Sequence, residues 1–286
     1  MVLVNGRRET IEAAGMVNVL FWLSMAVYAT AAWLIVRNHL RAVVEPSSAS
    51  WWLVAAGWMT QGLLLAASLF RGGGMLSVDL AHSLNLVALA IGLLLLVGWR
   101  IERNEARSVG VILLPLILVL LLLSRVIPSR HPVLRDIEDP ILVSHLTFSL
   151  LAYGLLTIAA VLAVLESFQE HALRRKKFGP MFRMFPPLGV LEDHMFWTVR
   201  LGMVLLTLSI LTGGVFSHQQ GGAYFAFNHK VVFSWATWLV FGLLLYGHAR
   251  HGWRGRRAVR FTAAGYFFLI LAYLGVKVVT ELILHR

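Results

Sequence analysis

The chain has 286 residues, of which 58% are hydrophobic and only 14% are charged, and it contains no cysteine. This composition is typical of a protein whose solvent is lipid, and the lack of cysteine excludes disulfides, thiolate metal sites and thiol redox chemistry. A net charge of +11 would suit a nucleic-acid partner, but the basic residues fall in short clusters between long apolar runs. We therefore expect the lipid bilayer, and no nucleic acid, as partner.

Eight apolar runs are long enough to cross a membrane, since a spanning helix needs about 20 mostly apolar residues. In chain order they are residues 16–36, 51–70, 81–99, 109–124, 140–165, 199–217, 231–248 and 261–284. Lipid cannot satisfy backbone polar groups, so each run is expected to be a helix, and alternating barrel-type segments are absent from the sequence. The sequence predicts an all-α integral membrane fold, a bundle of about eight transmembrane helices.

The basic residues predict the orientation of this bundle. Most of them follow the first, third, fifth and seventh runs, in groups that begin at Arg37, Arg100, Arg174 and Arg250. Positively charged loops remain in the cytoplasm, so both termini are expected to face outward, N-out and C-out. The expected location is the inner (cytoplasmic) membrane of a bacterium, as a multi-pass protein.

The longest connection is expected between the fifth and sixth runs, as a cytoplasmic loop over residues 167–198. Its basic stretch RRKKFGPMFR is typical of a segment attracted by anionic headgroups, although a loop that only sets the topology explains it as well.

This loop lies in the second of two expected halves. They are an N-terminal four-helix scaffold, residues 1–130, and a C-terminal four-helix half, residues 131–286.

Histidine carries the remaining chemistry of the sequence. Five of the eleven histidines lie at or just beyond the predicted outer end of a run, namely His82, His145, His218, His229 and His285. Neutral imidazole is an axial ligand of haem iron, and two such side chains from different helices can hold one haem. A lone histidine near a helix end is more often an interfacial hydrogen-bonding residue, so only a convergent set would indicate a site.

Helix spacing distinguishes these candidates. Ser149 and Tyr153 follow His145 at intervals of four, so the three residues form a polar stripe that descends from the outer surface. His229 and His248 bracket the seventh run and are separated by roughly 28 Å of helix, so they cannot bind the same iron. The spacing favours a His145 that faces a cavity.

Three stretches of the second half resemble a known family. They are SHLTFSLLAYGLLTIAAVLAVLE, FPPLGVLEDHMFWTVRLGMVLLTLSILTGGVFSH and FNHKVVFSWATWLVFGLLLYGHARHGWRGRRAVRFTAAGYFFLILAYLGVK. Together they resemble the CcsA/CcmC-type cytochrome c assembly proteins, and within these the YpjD-like inner-membrane branch. The resemblance covers roughly residues 140–284, whereas residues 1–130 match in hydropathy alone. It implies a protein that binds haem b non-covalently and holds or relays it at the outer membrane face.

The resemblance also implies roles for individual residues. His145 matches the family's outer-face histidine, and His285 lies near the place of the second one. A family histidine within the membrane falls near Tyr246 or His248, which makes His248 a candidate for an inner haem-entry site. Its alternative role is that of a cytoplasmic anchor beside lipid headgroups.

The segment GGAYFAFNHKVVFSWATWLVF takes the place of the family's tryptophan-rich haem loop, which usually reads like WGxYWxWDPKE. The key tryptophans are missing, but Phe225 and Phe227 could stack on a porphyrin, and His229 could join His145 as an iron ligand. Because of this departure we do not expect a stand-alone cytochrome c synthase. Haem-delivery or cytochrome c maturation proteins are the partners that the resemblance implies.

Two alternatives of other classes remain. A regulatory or scaffold membrane protein would explain the missing tryptophans. A small-molecule permease would be expected to have discontinuous helices and a charged site at mid-membrane, and the runs contain few such charges.

Overall fold

A computed structural model describes residues 2–40, 48–71, 75–77, 80–101, 103–127, 134–136, 139–176, 186–224 and 228–272. These residues form eight helices and two short strands. In chain order the elements are α1 (Val2–Leu40), α2 (Ser48–Arg71), β1 (Met75–Ser77), α3 (Leu80–Ile101), α4 (Arg103–Val126), β2 (Leu134–Asp136), α5 (Pro140–Arg174), α6 (Leu188–Gln219), α7 (His229–His251) and α8 (Arg256–Ile270). Each predicted apolar run overlaps one helix, which confirms the all-α class.

Six helical segments of the described residues are long and apolar enough to cross a membrane. They are Gly15–Asn38, Ala81–Arg100, Val109–Val126, Pro140–Arg174, Leu188–Gln219 and His229–His251, and they make this a multi-pass membrane protein. Helix α2 has 24 residues, but Thr60 and Gln61 interrupt its apolar run. The described part of α8 has 15 residues, fewer than a span requires. The count of eight spans and the outward-facing termini stay predictions.

The N-terminal unit comprises Met1–Ile137. Its helices α1 and α3 each contact both α2 and α4, which gives a closed four-helix bundle. Strands β1 and β2 pair in antiparallel register, with Met75 opposite Asp136 and Ser77 opposite Leu134. We call the end of this unit at which α1 and α3 finish and α2 and α4 begin the Arg37 end.

The C-terminal unit comprises Glu138–Arg286, and in it α5 and α7 each contact both α6 and α8. Helix α5 starts at Pro140, whose missing N–H is not needed in the first turn. Asp139 caps this helix by accepting hydrogen bonds from the backbone N–H groups of Ile141 and Leu142. We call the end at which α5 and α7 begin and α6 finishes the His145 end, and the opposite one the His248 end.

Two boundaries differ from those expected from the sequence. The units divide after residue 137 instead of residue 130, because β2 pairs with β1 and so belongs to the N-terminal unit. The expected loop over residues 167–198 is largely helical, since α5 continues to Arg174 and α6 begins at Leu188. A 35-residue helix is about 52 Å long, well beyond the roughly 30 Å hydrocarbon core, so α5 extends out of the membrane.

Candidate histidine site

His145 lies in the second turn of α5, with its ring packed against α6. Its Nδ1 atom is 2.9 Å from the backbone carbonyl oxygen of Ser209. A carbonyl oxygen can only accept a hydrogen bond, so Nδ1 of the neutral ring carries the proton and donates it. Nε2 is then left with a free lone pair. Histidines that bind metals are usually oriented in this way, with the other ring nitrogen donating to a carbonyl or carboxylate.

The close approach of His145 to α6 depends on Gly213. A Cβ atom on Gly213 would lie 2.8 Å from Cε1 and 3.0 Å from Nδ1 of the His145 ring. Any side chain at this position would therefore displace the imidazole. The sequence reasoning missed both Ser209 and Gly213; the only signal was the Gly213–Gly214 pair within an apolar run, since small residues allow close helix packing in membranes.

The polar stripe below His145 reaches farther down α5 than predicted. The Ser149 hydroxyl is satisfied within its own helix, because it donates to the carbonyl of Leu146 at 2.9 Å. The Tyr153 carbonyl accepts a hydrogen bond from the Thr157 hydroxyl at 2.7 Å. That hydroxyl in turn lies 3.2 Å from the phenol oxygen of Tyr266 on α8. The stripe thus links α5 to α8 inside the C-terminal unit.

His218 and His229 lie at the same end of this unit as His145. His218 is in the last turn of α6 and stacks on Tyr224, with 3.9 Å between the ring centroids and 16° between the planes. His229 is the first residue of α7 and is exposed. Five residues of helix, about 7.5 Å along the axis, separate Gly213 from His218. Among the described side chains the three imidazoles share this end without touching one another.

His248 lies at the opposite end of the unit, as its spacing from His229 predicted. Its Nδ1 atom is 3.0 Å from the carbonyl oxygen of Trp253, and its ring stacks on Phe196 with 3.7 Å between centroids. Gly252 ends α7 in the left-handed conformation, with φ of 61°, and its N–H donates to the His248 carbonyl. The contacts of the GHARHGWRG stretch are those of a structural α7–α8 turn.

Of the four remaining candidates, the structure describes only His82. His82 is in the first turn of α3, in the N-terminal unit, and is half-buried. Phe225, Phe227 and His285 lie outside the described residues.

Within the described ranges no group of three or more histidine, aspartate or glutamate side chains could hold a metal ion. Haem iron needs only two axial ligands, because the porphyrin supplies the others, and a histidine held like His145 fits such a site.

The family model described as cytochrome C assembly protein matches residues 77–284. The chain belongs to the cytochrome c assembly protein family. The match begins at the last residue of β1 and takes in α3 and α4. The expectation that residues 1–130 match in hydropathy alone was therefore wrong for residues 77–130, because the family extends into the N-terminal unit.

Individual relatives agree with this family. The inner membrane protein YpjD of Escherichia coli (strain K12) is 36% identical over 184 residues, which cover 62% of this chain and 68% of YpjD. The cytochrome c biogenesis protein CcsA of Trieres chinensis is 22% identical over 290 residues, covering 90% of this chain and 88% of CcsA. CcsA of Guillardia theta is 25% identical over 213 residues, with coverage of 68% and 71%. The predicted resemblance to CcsA-type proteins and to the YpjD branch is confirmed.

Proposed function

We propose that this protein binds haem b non-covalently at the His145 end of its C-terminal unit and holds or relays it at the outer membrane face during cytochrome c maturation. Membership of the cytochrome c assembly family supports the role in maturation. The observation that carries the haem assignment is the hydrogen bond from His145 to Ser209, which leaves Nε2 free.

The surroundings of His145 suit an axial ligand. The bond to Ser209 fixes both the tautomer and the plane of the ring, and it makes Nε2 more basic. Gly213 allows the Cε1–Nδ1 edge of the ring to lie close against α6, where Nδ1 donates to Ser209. When bound, haem supplies an iron that accepts two such ligands. His145 would therefore hold the iron from α5, and Tyr153 continues the polar face of this helix.

The second ligand is assigned to His229, which begins α7 at the same end of the unit and is exposed. Asn228 fixes the start of this helix by accepting a hydrogen bond from the Val231 N–H at 3.0 Å. His218 and His285 are the alternative second ligands. Phe225 and Phe227 would stack on the porphyrin, in place of the tryptophans that the family's haem loop usually has.

The proposal includes an orientation and a partner class. In the proposed topology, with eight spans and both termini outside, the His145 end lies at the outer face, and the distribution of arginine and lysine supports this topology. A bacterial inner membrane is the proposed location, supported by the similarity to YpjD. Without the tryptophan-rich loop, the chain transfers haem to haem-delivery or maturation proteins and does not act as a stand-alone synthase.

An absorption spectrum of the protein, purified in detergent from haem-supplemented cells, tests this function. We expect a Soret band that His145→Ala shifts or abolishes and that added imidazole restores in this variant. His251→Ala is the matched control, because His251 lies at the His248 end and is exposed. Colourless wild-type protein, or a Soret band that is identical in His145→Ala, would refute the assignment.

A regulatory or scaffold role is the second candidate, and the missing tryptophans favour it. Such a protein would co-purify with a stable partner and without porphyrin. A permease is less well supported, because α5, α6 and α7 are continuous helices whereas transporter sites usually lie at broken ones. Co-purification and the absorption spectrum, measured on the same preparation, separate these functions.

A further inference from the structure

We propose that the Arg37 end of the N-terminal unit binds the phosphate group of an anionic phospholipid through Arg37 and Trp51. Two buried N–H donors at this end, Nε of Arg37 and Nε1 of Trp51, have no hydrogen-bond acceptor among the described residues. Proteins rarely leave buried donors unpaired, because each loses its hydrogen bond to water without replacement. An acceptor from outside the chain would satisfy both.

These donors belong to adjacent helices. Arg37 is in the last turn of α1 and Trp51 is in the first turn of α2, and the two helices contact each other. Arg100, in the last turn of α3, adds a second cation, since its Cζ atom lies 6.0 Å from the centroid of the Trp51 ring. The Arg37 guanidinium lies 4.9 Å above the Trp33 ring. Each arginine thus lies close to an indole ring, and Nε of Arg37 has no acceptor among the described residues.

The charge at this end is not neutralised by the described part of the unit. Its described side chains, in residues 15–38, 49–68, 81–100 and 109–127, include no aspartate or glutamate. With two arginines and no carboxylate among these described side chains, the site favours a ligand with net negative charge over a zwitterionic one. An anionic oxygen that accepts from a guanidinium makes the strong, charge-assisted type of hydrogen bond.

The position of the site identifies the ligand as a lipid. The apolar segments of α1 and α3 finish at Asn38 and Arg100, which is the depth at which headgroups lie. Trp33 and Trp52 expose 59% and 65% of their surface here, as expected of indoles that face the interface. A phospholipid phosphate can accept from Arg37 and Trp51 while its acyl chains follow the apolar surface of the helices.

The test measures how much anionic phospholipid the full chain retains. The detergent-purified protein is loaded with phosphatidylglycerol, washed, and analysed by native mass spectrometry. Trp51→Phe removes the N–H donor but keeps a ring beside Arg100, and Arg37→Gln removes the charge. We expect each variant to retain at least about fivefold less lipid than the wild type, and phosphatidylcholine to be retained weakly by all of them.

Arg125→Gln is the matched control. Arg125 also lies over an aromatic ring, 6.0 Å from the centroid of Phe21, but it already has an acceptor in Asn18 at 3.4 Å and lies at the other end of the unit. This variant should retain lipid like the wild type. Equal loss in Arg37→Gln and Arg125→Gln, full retention in Trp51→Phe, or displacement of the lipid by inorganic phosphate would each overturn the proposal. Because Trp51→Phe conserves shape, it remains decisive if Arg37→Gln does not fold.

Discussion

The His145 imidazole and Gly213 lie so close together that a Cβ atom on the glycine would be 2.8 Å from ring atom Cε1. Replacing Gly213 by alanine therefore forces the ring away from α6 and breaks its hydrogen bond to Ser209. We expect Gly213→Ala to lower the free energy of unfolding by about 1–3 kcal/mol, the usual cost of overpacking. The same change should alter the Soret band if His145 binds haem iron.

Gly189→Ala provides the control for this prediction. Gly189 lies in the first turn of the same helix and has no atom within 4 Å of a Cβ built on it. Alanine there should leave stability unchanged or raise it slightly, because alanine favours helices. Equal thermal stability of the two variants would contradict the described contact between His145 and Gly213.

A second prediction concerns the contact between α5 and α8. The Thr157 hydroxyl lies 3.2 Å from the Tyr266 phenol oxygen, and Thr157 is 5% exposed. Tyr266→Phe removes this hydrogen bond and should cost about 0.5–1.5 kcal/mol, and Thr157→Val should cost more, because it also removes the bond to the Tyr153 carbonyl. In a double-mutant cycle the two losses should not add, since both remove the same bond. Additive losses, measured by thermal denaturation in detergent, would show that the residues do not interact.

The sequence predicted the helices and their polar faces, because these depend on residue spacing and composition. The spacing of four placed His145, Ser149 and Tyr153 on one helix face, and the apolar runs located all eight helices. It could not predict that His145 binds Ser209, because the rotation of α5 against α6 is set by packing at Gly213 and not by any repeat within one helix.

The N-terminal unit illustrates the same limit. It was expected to be a scaffold with His82 as its site candidate, yet Gln61 links α1 to α3 through Tyr28 and Asn85. A single glutamine in an apolar run does not reveal which side chains on other helices it meets. Likewise, the unpaired donors of Arg37 and Trp51 become visible only once the helices are packed.

This three-residue network gives a third prediction. Gln61 is fully buried, accepts from the Tyr28 hydroxyl at 2.9 Å and donates to the Asn85 side-chain oxygen at 2.8 Å. Gln61→Leu leaves both neighbours without these partners and should cost about 1–3 kcal/mol for each buried group that remains unpaired. Tyr28→Phe removes one bond only and should cost less. If thermal denaturation shows Gln61→Leu to be as stable as the wild type, the network contributes nothing to the fold.

The last prediction compares two carboxylates at the His248 end. Glu192 accepts a hydrogen bond from the Gly255 N–H at 3.1 Å, where α8 begins, whereas Glu170 pairs with Arg174 and Arg256 at the surface. The arginine side chains of those pairs are 60% and 64% exposed. Exposed ion pairs contribute about 0–1 kcal/mol to the free energy of unfolding. We expect Glu192→Ala to lower the unfolding free energy by about 1 kcal/mol, because it removes the acceptor of the Gly255 N–H, and Glu170→Ala to lower it by less. High salt should reduce the effect of Glu170→Ala further, because it screens an exposed pair. A larger, salt-insensitive loss in Glu170→Ala than in Glu192→Ala would mean that the surface pairs, and not the carboxylate at Gly255, fix the start of α8.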